Sequence, residues 1–494
     1  MEEIPQESLY DEFLHNIGNI KNLFDLMALC ISYTLNKIDE TEFDPINILN
    51  SFDSKSSEII DSLSRYKQGK EIDIEYKCLE QLKIQLCNVL SENINIINIC
   101  IQIIMWIDNN YEPEYENDGI CTYEALNSQF NNKICIIPRI NNRIDDFSSI
   151  FSDEKGQEAF RKDYPVRKVF YNNIICRYII LDEIFLKNYN VRIHHLGCGN
   201  GFVRKTIDKQ TLSFAIFPVL NSDISEYFQL NKFKTEKISY FEIDGMHEGK
   251  EEALKQRYCK LLNSCNFDNI DFLIFPEMLM TKNILNSFKK CRTGNCLTFW
   301  GSIWEDMKNQ SVITGTNGTE ILSYDKKIGF ALKGDRIYLE HLKERIKKVP
   351  YDVLDIEGIG RVGICICRDL TFQEVYNLHA YLETNILIVP AFSESMDIYT
   401  GAEELAKKEK CIVVLANSCS ACYNKNTAAE IGFLVVPAKK RNTRSVYKEI
   451  YGNLSCVDEC RSVCKGILFT VDFSNKMEKD DLLTMKITKT AVIS

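Results

Sequence analysis

Positive charge is in short supply in this chain. Its 59 Lys and Arg stand against 70 Asp and Glu, for a net charge of −11, which argues against general nucleic-acid binding or attachment to anionic membranes. Long apolar runs are missing too. The longest, INIINICIQIIMWI at residues 94–107, is broken by two Asn and a Gln and is short for a membrane span. It reads as a buried helix, and no membrane partner is expected. The N-terminus, MEEIPQES, has no secretory pattern, so a cytoplasmic location is expected. In that compartment the 20 cysteines, many within apolar runs such as LMALCISY, are expected to be free thiols. Their spacing matches no metal motif. Cys419 and Cys422 form C-x-x-C, and Cys456, Cys460 and Cys464 recur at four-residue steps, but buried thiols account for them more simply.

What the chain does have is length for two to three domains and an ordinary globular balance of 45% hydrophobic and 26% charged residues. Leu9, Phe13, Ile17, Ile20, Phe24 and Met27 recur at three- and four-residue steps, the mark of an amphipathic helix. Residues 54–66 and 72–107 look similar, so 1–110 is expected to be a helical bundle. Residues 111–205 read as a linker and mixed connecting region, beginning within the acidic DNNYEPEYENDG. Leu196 to Gly201, LGCGNG, resembles the glycine loop of S-adenosylmethionine-dependent methyltransferases. That loop needs a helix directly behind it, whereas FVRKTIDKQT leads quickly into a strand, so a structural glycine turn is expected. A metal site at His194, His195 and Cys198 is set aside with it.

Beyond 206 the pattern alternates. Strands are expected at 212–219, 272–275, 297–304, 362–367, 386–390, 411–416 and 431–436, with ILFTVDF last. Helices are expected at 251–265, 371–383 and 401–410, and a hairpin turns at Asn317-Gly318. An α/β sandwich of helix-covered sheets fits 206–475, with 476–494 as a tail. Three strand ends carry chemistry. Glu277 ends IDFLIFPE, where partial desolvation raises a carboxyl toward usefulness as a base. Lys326 or Lys327 follows Ser323-Tyr324-Asp325, where an isolated lysine is ordinarily a surface cation. Cys367 follows GICI just before a helix start, a setting that favours a thiolate. A thiol, a base and a cation are what acyl transfer through a thioester requires. Cys365 shares the strand face of Cys367 but lies deeper.

In FPE at 275–277, YDK at 324–326 and ICRDLTFQE at 366–374 the sequence resembles the nitrilase, or carbon–nitrogen hydrolase, superfamily. A VPA strand end at 389–391 and LANS at 415–418 extend the likeness. The resemblance implies a four-layer αββα sandwich, here preceded by the mainly helical N-terminal domain, that dimerises through its helices. It implies a Glu277–Lys326–Cys367 triad that cleaves amide, nitrile or carbamoyl bonds with no cofactor or metal. The Y-x-K match selects Lys326. Cys367 would attack, Glu277 would carry protons, and Lys326 with the backbone N–H of Arg368 would stabilise the oxyanion. Glu340 is the candidate for the second glutamate that holds substrate or lysine. Arg368, where nitrilases proper carry Trp, favours an amide or carbamoyl substrate. Ile328 stands where many members have His. An acyltransferase with the same triad, and an inactive assembly platform whose helical domain binds a protein partner, are the alternatives. A homodimer or larger homo-oligomer is expected, acting on a small-molecule amide or related substrate.

Overall fold

Unbroken apolar runs such as ILIVP and IVVLA are the signature of strands buried on both faces of a parallel sheet. Ile386–Pro390 and Ile412–Ala416 are such strands, buried at every residue and paired parallel to one another. The computed structural model describes residues 23–38, 96–110, 120–124, 126–127, 134–138, 178–182, 189–220, 222–235, 237–289, 295–333, 336–343, 349–393, 400–409, 411–422, 430–440, 443–452, 466–472, 482–484 and 486–492, with scattered positions between 13 and 88. The acidic stretch at 111–119, and Cys456, Cys460 and Cys464, lie outside these residues.

Two large sheets dominate. The first runs Ile120–Glu124, Tyr189–Leu196, Val349–Ile356, Gly360–Ile364, Ile386–Pro390, Ile412–Ala416, Glu430–Lys440, Thr443–Gly452, with Leu482–Thr484 also on Glu430–Lys440. The second runs Ile303–Glu305, Lys308–Thr314, Leu297–Phe299, Phe272–Ile274, Thr211–Ile216, Gly466–Asp472, Lys486–Val492, with Glu320–Asp325 on Lys308–Thr314. Phe214, Phe272 and Phe299 of the second sheet share one core with Tyr351, Ile364 and Ile388 of the first. Tyr324 and Tyr351 meet edge to face across it at 5.7 Å. Each fully buried aliphatic side chain in such a core contributes about 1.5–3 kcal/mol.

Helices Gln373–Tyr381 and Thr400–Glu409 make the crossovers between parallel strands of the first sheet. Helices Lys250–Ser264 and Lys282–Phe288 bury Leu254, Tyr258, Ile284 and Leu285 against Phe275 and Trp300 in a second core. A four-stranded sheet, Ala331–Lys333, Ile337–Glu340, Ile238–Met246 and Phe228–Thr235, adds Phe241 and Tyr338 to that core. Near the N-terminus, helices Leu23–Ile38 and Ile96–Asn110 share an apolar cluster with Ile136 and Tyr178 of a three-stranded sheet. Among the described residues no helix is long and apolar enough to cross a membrane.

The chain enters the first sheet before the expected boundary at 206. Tyr189–Leu196, expected in the connecting region, pairs along its whole length with Val349–Ile356. The LGCGNG run caps that strand and opens a short helix, Gly201–Thr206, with Asn200 at its N-cap. His194 is bound to Asp352 at 2.6 Å. The expected tail contributes Lys486–Val492, which edges the second sheet against Gly466–Asp472.

A buried histidine underpins the first sheet. His379 meets the Tyr351 hydroxyl at 2.5 Å and Thr384 Oγ1 at 3.1 Å. It packs so near Gly363 that a Cβ there would come within 2.5 Å of its ring. Burial pushes this imidazole down to about 3 from an ordinary 6.5. The native state therefore binds fewer protons than the unfolded chain between those values. Its contribution is fully present above pH 6.5 and is lost as pH falls toward 3. Urea denaturation is expected to show an acid-side loss on the order of 4 kcal/mol across this window, flattened in His379→Gln relative to wild type.

Candidate active site

Three strands deliver the candidate residues to one place. Phe272–Ile274 runs into Phe275-Pro276-Glu277, and the Glu277 N–H donates to the Ala391 carbonyl at 3.2 Å, tying this strand end to the VPA end in the other sheet. Gly301 lies with φ 71° against Pro276, where a Cβ would stand 2.0 Å from its carbonyl oxygen, so only glycine lets the two segments meet. Met278 follows at φ 65°, its N–H donating to Ser302 Oγ at 2.9 Å. Glu320–Asp325 ends at Lys326, whose N–H donates to the Asn309 carbonyl at 2.8 Å. Gly360–Ile364 leads to Cys367, which opens the short 3-10 turn Cys367–Thr371 at φ 48°. A non-glycine residue in the left-handed region is held there by its surroundings, as functional strand-end turns often are.

The side chains converge. Lys326 Nζ lies 2.5 Å from Glu277 Oε1 and 2.7 Å from Glu340 Oε2, and all three side chains are 0% exposed. Asn309 Nδ2 donates to Glu277 Oε1 and to Glu340 Oε1, each at 2.8 Å. The Phe330 N–H adds a bond to Glu340 Oε2 at 2.9 Å. Cys367 is 2% exposed, with Sγ 3.9 Å from the Phe392 carbonyl oxygen.

Burial pushes the Glu277 carboxyl above its ordinary range; Lys326 and the Cys367 thiol pull against this, and Glu340 adds to it. Among the described residues Glu277 Oε2 has no hydrogen-bond partner. Burial alone would lower the Lys326 ammonium, but Glu277, Glu340 and Cys367 outweigh it and hold the group above the ordinary lysine range. Two carboxylates share a single buried cation, which keeps the cation charged, while burial, with the charge of Glu340 added, keeps the Glu277 carboxyl raised.

Glu340 is thus engaged on both oxygens and secures the lysine. Of the two adjacent lysines, Lys326 reaches the carboxylates, whereas Lys327 Nζ sits 5.0 Å over the Tyr324 ring. The Arg368 guanidinium donates to the Gly329 carbonyl at 3.3 Å. Cys365 is fully buried, and burial pushes its thiol well up. Asp369 accepts from the N–H groups of Lys327 at 2.9 Å and Ile328 at 2.7 Å and from the Tyr324 hydroxyl at 2.9 Å. Burial pushes its carboxyl up to about 6, against the pull of Lys326 and these donors. It joins the lysine turn to the cysteine turn. Asn417 of LANS plays a similar part, binding the backbone N–H and carbonyl of Ser393 at 2.9 and 2.8 Å.

Asn309 is absent from the sequence-derived set. Only the strand register singles it out: on Lys308–Thr314 it neighbours Gln310, which pairs with Asp325 one residue before the lysine.

No protein-family model matches the chain, and a search of curated proteins finds no match. Solved structures similar to it include the NitFhit protein of C. elegans, at 17% identity over 49% of this chain and 61% of that one, with a TM-score of 0.32. Nit3 of Saccharomyces cerevisiae, a member of branch 10 of the nitrilase superfamily, is 15% identical over 50% of this chain and 92% of that one, with a TM-score of 0.32. An amidase from Nesterenkonia sp. is 10% identical over 49% of this chain and 90% of that one, with a TM-score of 0.33. At these values the geometry of Glu277, Lys326 and Cys367, and not the likeness, bears on chemistry. The solved structures similar to this chain thus include a member of the nitrilase superfamily, the family whose motifs it resembles at 275–277, 324–326 and 366–374.

Proposed function

We propose that the chain is a carbon–nitrogen hydrolase that cleaves an amide or carbamoyl bond through a thioester on Cys367. The observation that supports this best is the gathering of Glu277, Lys326 and Glu340 into one dry cluster beside a cysteine held at φ 48°. Glu277 takes the thiol proton as sulfur attacks the carbonyl carbon. Lys326 and the backbone N–H of Arg368 stabilise the tetrahedral oxyanion. The C–N bond breaks as Glu277 returns its proton to the leaving nitrogen. Water then attacks the thioester, giving its proton to Glu277 and releasing the acid and the thiol. An amine in place of that water would make the enzyme an acyltransferase. No cofactor or metal enters this scheme.

With this reading goes a four-layer αββα sandwich, preceded by a mainly helical domain suited to a protein partner. A homodimer or larger homo-oligomer and a cytoplasmic location complete the proposal. A second reading, an inactive assembly platform, draws support from burial, because a site sealed this tightly need not admit substrate. Iodoacetamide with mass spectrometry separates the two. In the hydrolase, buried Cys367 labels faster than exposed Cys87 and Cys198, against the order of exposure. Labelling that simply follows exposure would favour the platform.

A further inference from the structure

We propose that Asn309 is a positioning residue for the proposed base, its carboxamide bridging Glu277 and Glu340 so that the two carboxylates share Lys326 in a fixed arrangement. This rests on the hydrolase reading for its functional meaning but not for its test. Asn309 is 1% exposed. Nδ2 lies 2.8 Å from Glu277 Oε1 and 2.8 Å from Glu340 Oε1. The carboxamide cannot turn over, because Oδ1 would then face two carboxylate oxygens with no proton between them.

The opposite end of the group makes the case. Among the described residues, Asn309 Oδ1 is buried without a hydrogen-bond partner, a state that costs stability. A residue serving packing alone would do better as an isosteric Leu, which buries no unsatisfied oxygen. The two donated bonds matter more than the oxygen left over. Donors aimed at a carboxylate favour its charged form, which is the form a base needs. An aspartate here, of the same shape, would instead place a third carboxylate beside one ammonium. The backbone carbonyl of Asn309 also receives the Lys326 N–H at 2.8 Å, so one residue locates all three charged partners.

The test follows the Glu277 carboxyl by infrared difference spectroscopy of the full chain across pH, with Glu277→Gln identifying its band. In Asn309→Leu the midpoint is expected to rise by about one pH unit, and in Asn309→Asp by more. Iodoacetamide labelling of Cys367 should slow about tenfold on the acid limb, its pH profile displaced with the midpoint. Should Asn309→Leu fail to fold, Asn309→Asp supplies the comparison without a change of shape. An unmoved Glu277 midpoint in a folded variant overturns the proposal, even where thermal stability has changed. The midpoint is read without turnover, so a Cys367 that labels no faster than Cys198 would defeat the hydrolase reading and leave this one to stand or fall separately.

Discussion

Lys326→Met is expected to damage the fold as well as the chemistry. The ammonium is the shared partner of Glu277 and Glu340, with all three side chains at 0% exposure. Methionine keeps much of the stem and removes the charge, leaving two carboxyl groups facing one another out of water. Breaking a buried ion pair from one side typically costs about 3–5 kcal/mol, and the loss should appear in urea denaturation followed by circular dichroism. Adding Glu340→Gln removes one of the stranded charges and is expected to recover part of that loss while restoring no hydrolysis. A single variant within about 1 kcal/mol of wild type, the size of a surface pair, would mean that the cation does not hold the cluster together.

Glu277→Gln is expected to give the opposite balance. The glutamine carbonyl can still accept from Lys326 and Asn309, so the network survives. The amide then occupies the place of Oε2, the oxygen that has no hydrogen-bond partner among the described residues. In the proposed hydrolase, removing the general base is expected to cost about 10²–10⁴-fold in rate, so amide hydrolysis and Cys367 alkylation should both fall by that order. Stability should not fall with them. A carboxyl whose folded value is raised contributes stability below its ordinary value and loses that contribution as pH rises through the folded value. At neutral pH the glutamine is therefore relieved of a cost the acid bears, and the variant is expected to be at least as stable as wild type. A slow enzyme of undiminished stability would mark Glu277 as kept for chemistry. Undiminished alkylation would remove it from the role of base.

The parts of this molecule that were legible in its sequence have short-range causes. ILIVP and IVVLA read as strands because a strand covered on both faces tolerates little else. Glu277 and Cys367 stood out because each ends an apolar strand with a motif attached, and Lys326 because it completes a Y-x-K match. The strands Tyr189–Leu196 and Val349–Ile356 did not stand out, since YNVRIHHL and VPYDVLDI carry charges that ordinarily mark a loop or an edge. Those charges are neutralised only after pairing: Arg192 reaches Asp352 at 2.7 Å, and Asp355 holds Arg361 at 2.7 Å. Asn309 was illegible for the same reason. Nothing in KNQSVIT separates it from Gln310 until the register with Asp325 is known.

Asp369 gives the turns around 326–328 and 366–367 a common anchor, through backbone N–H groups on either side and the Tyr324 hydroxyl. Withdrawal of this one carboxylate would release both turns at once, so they are tied into one opening unit. A fluctuation that pulled Asp369 out would therefore dismantle the proposed site from two sides together.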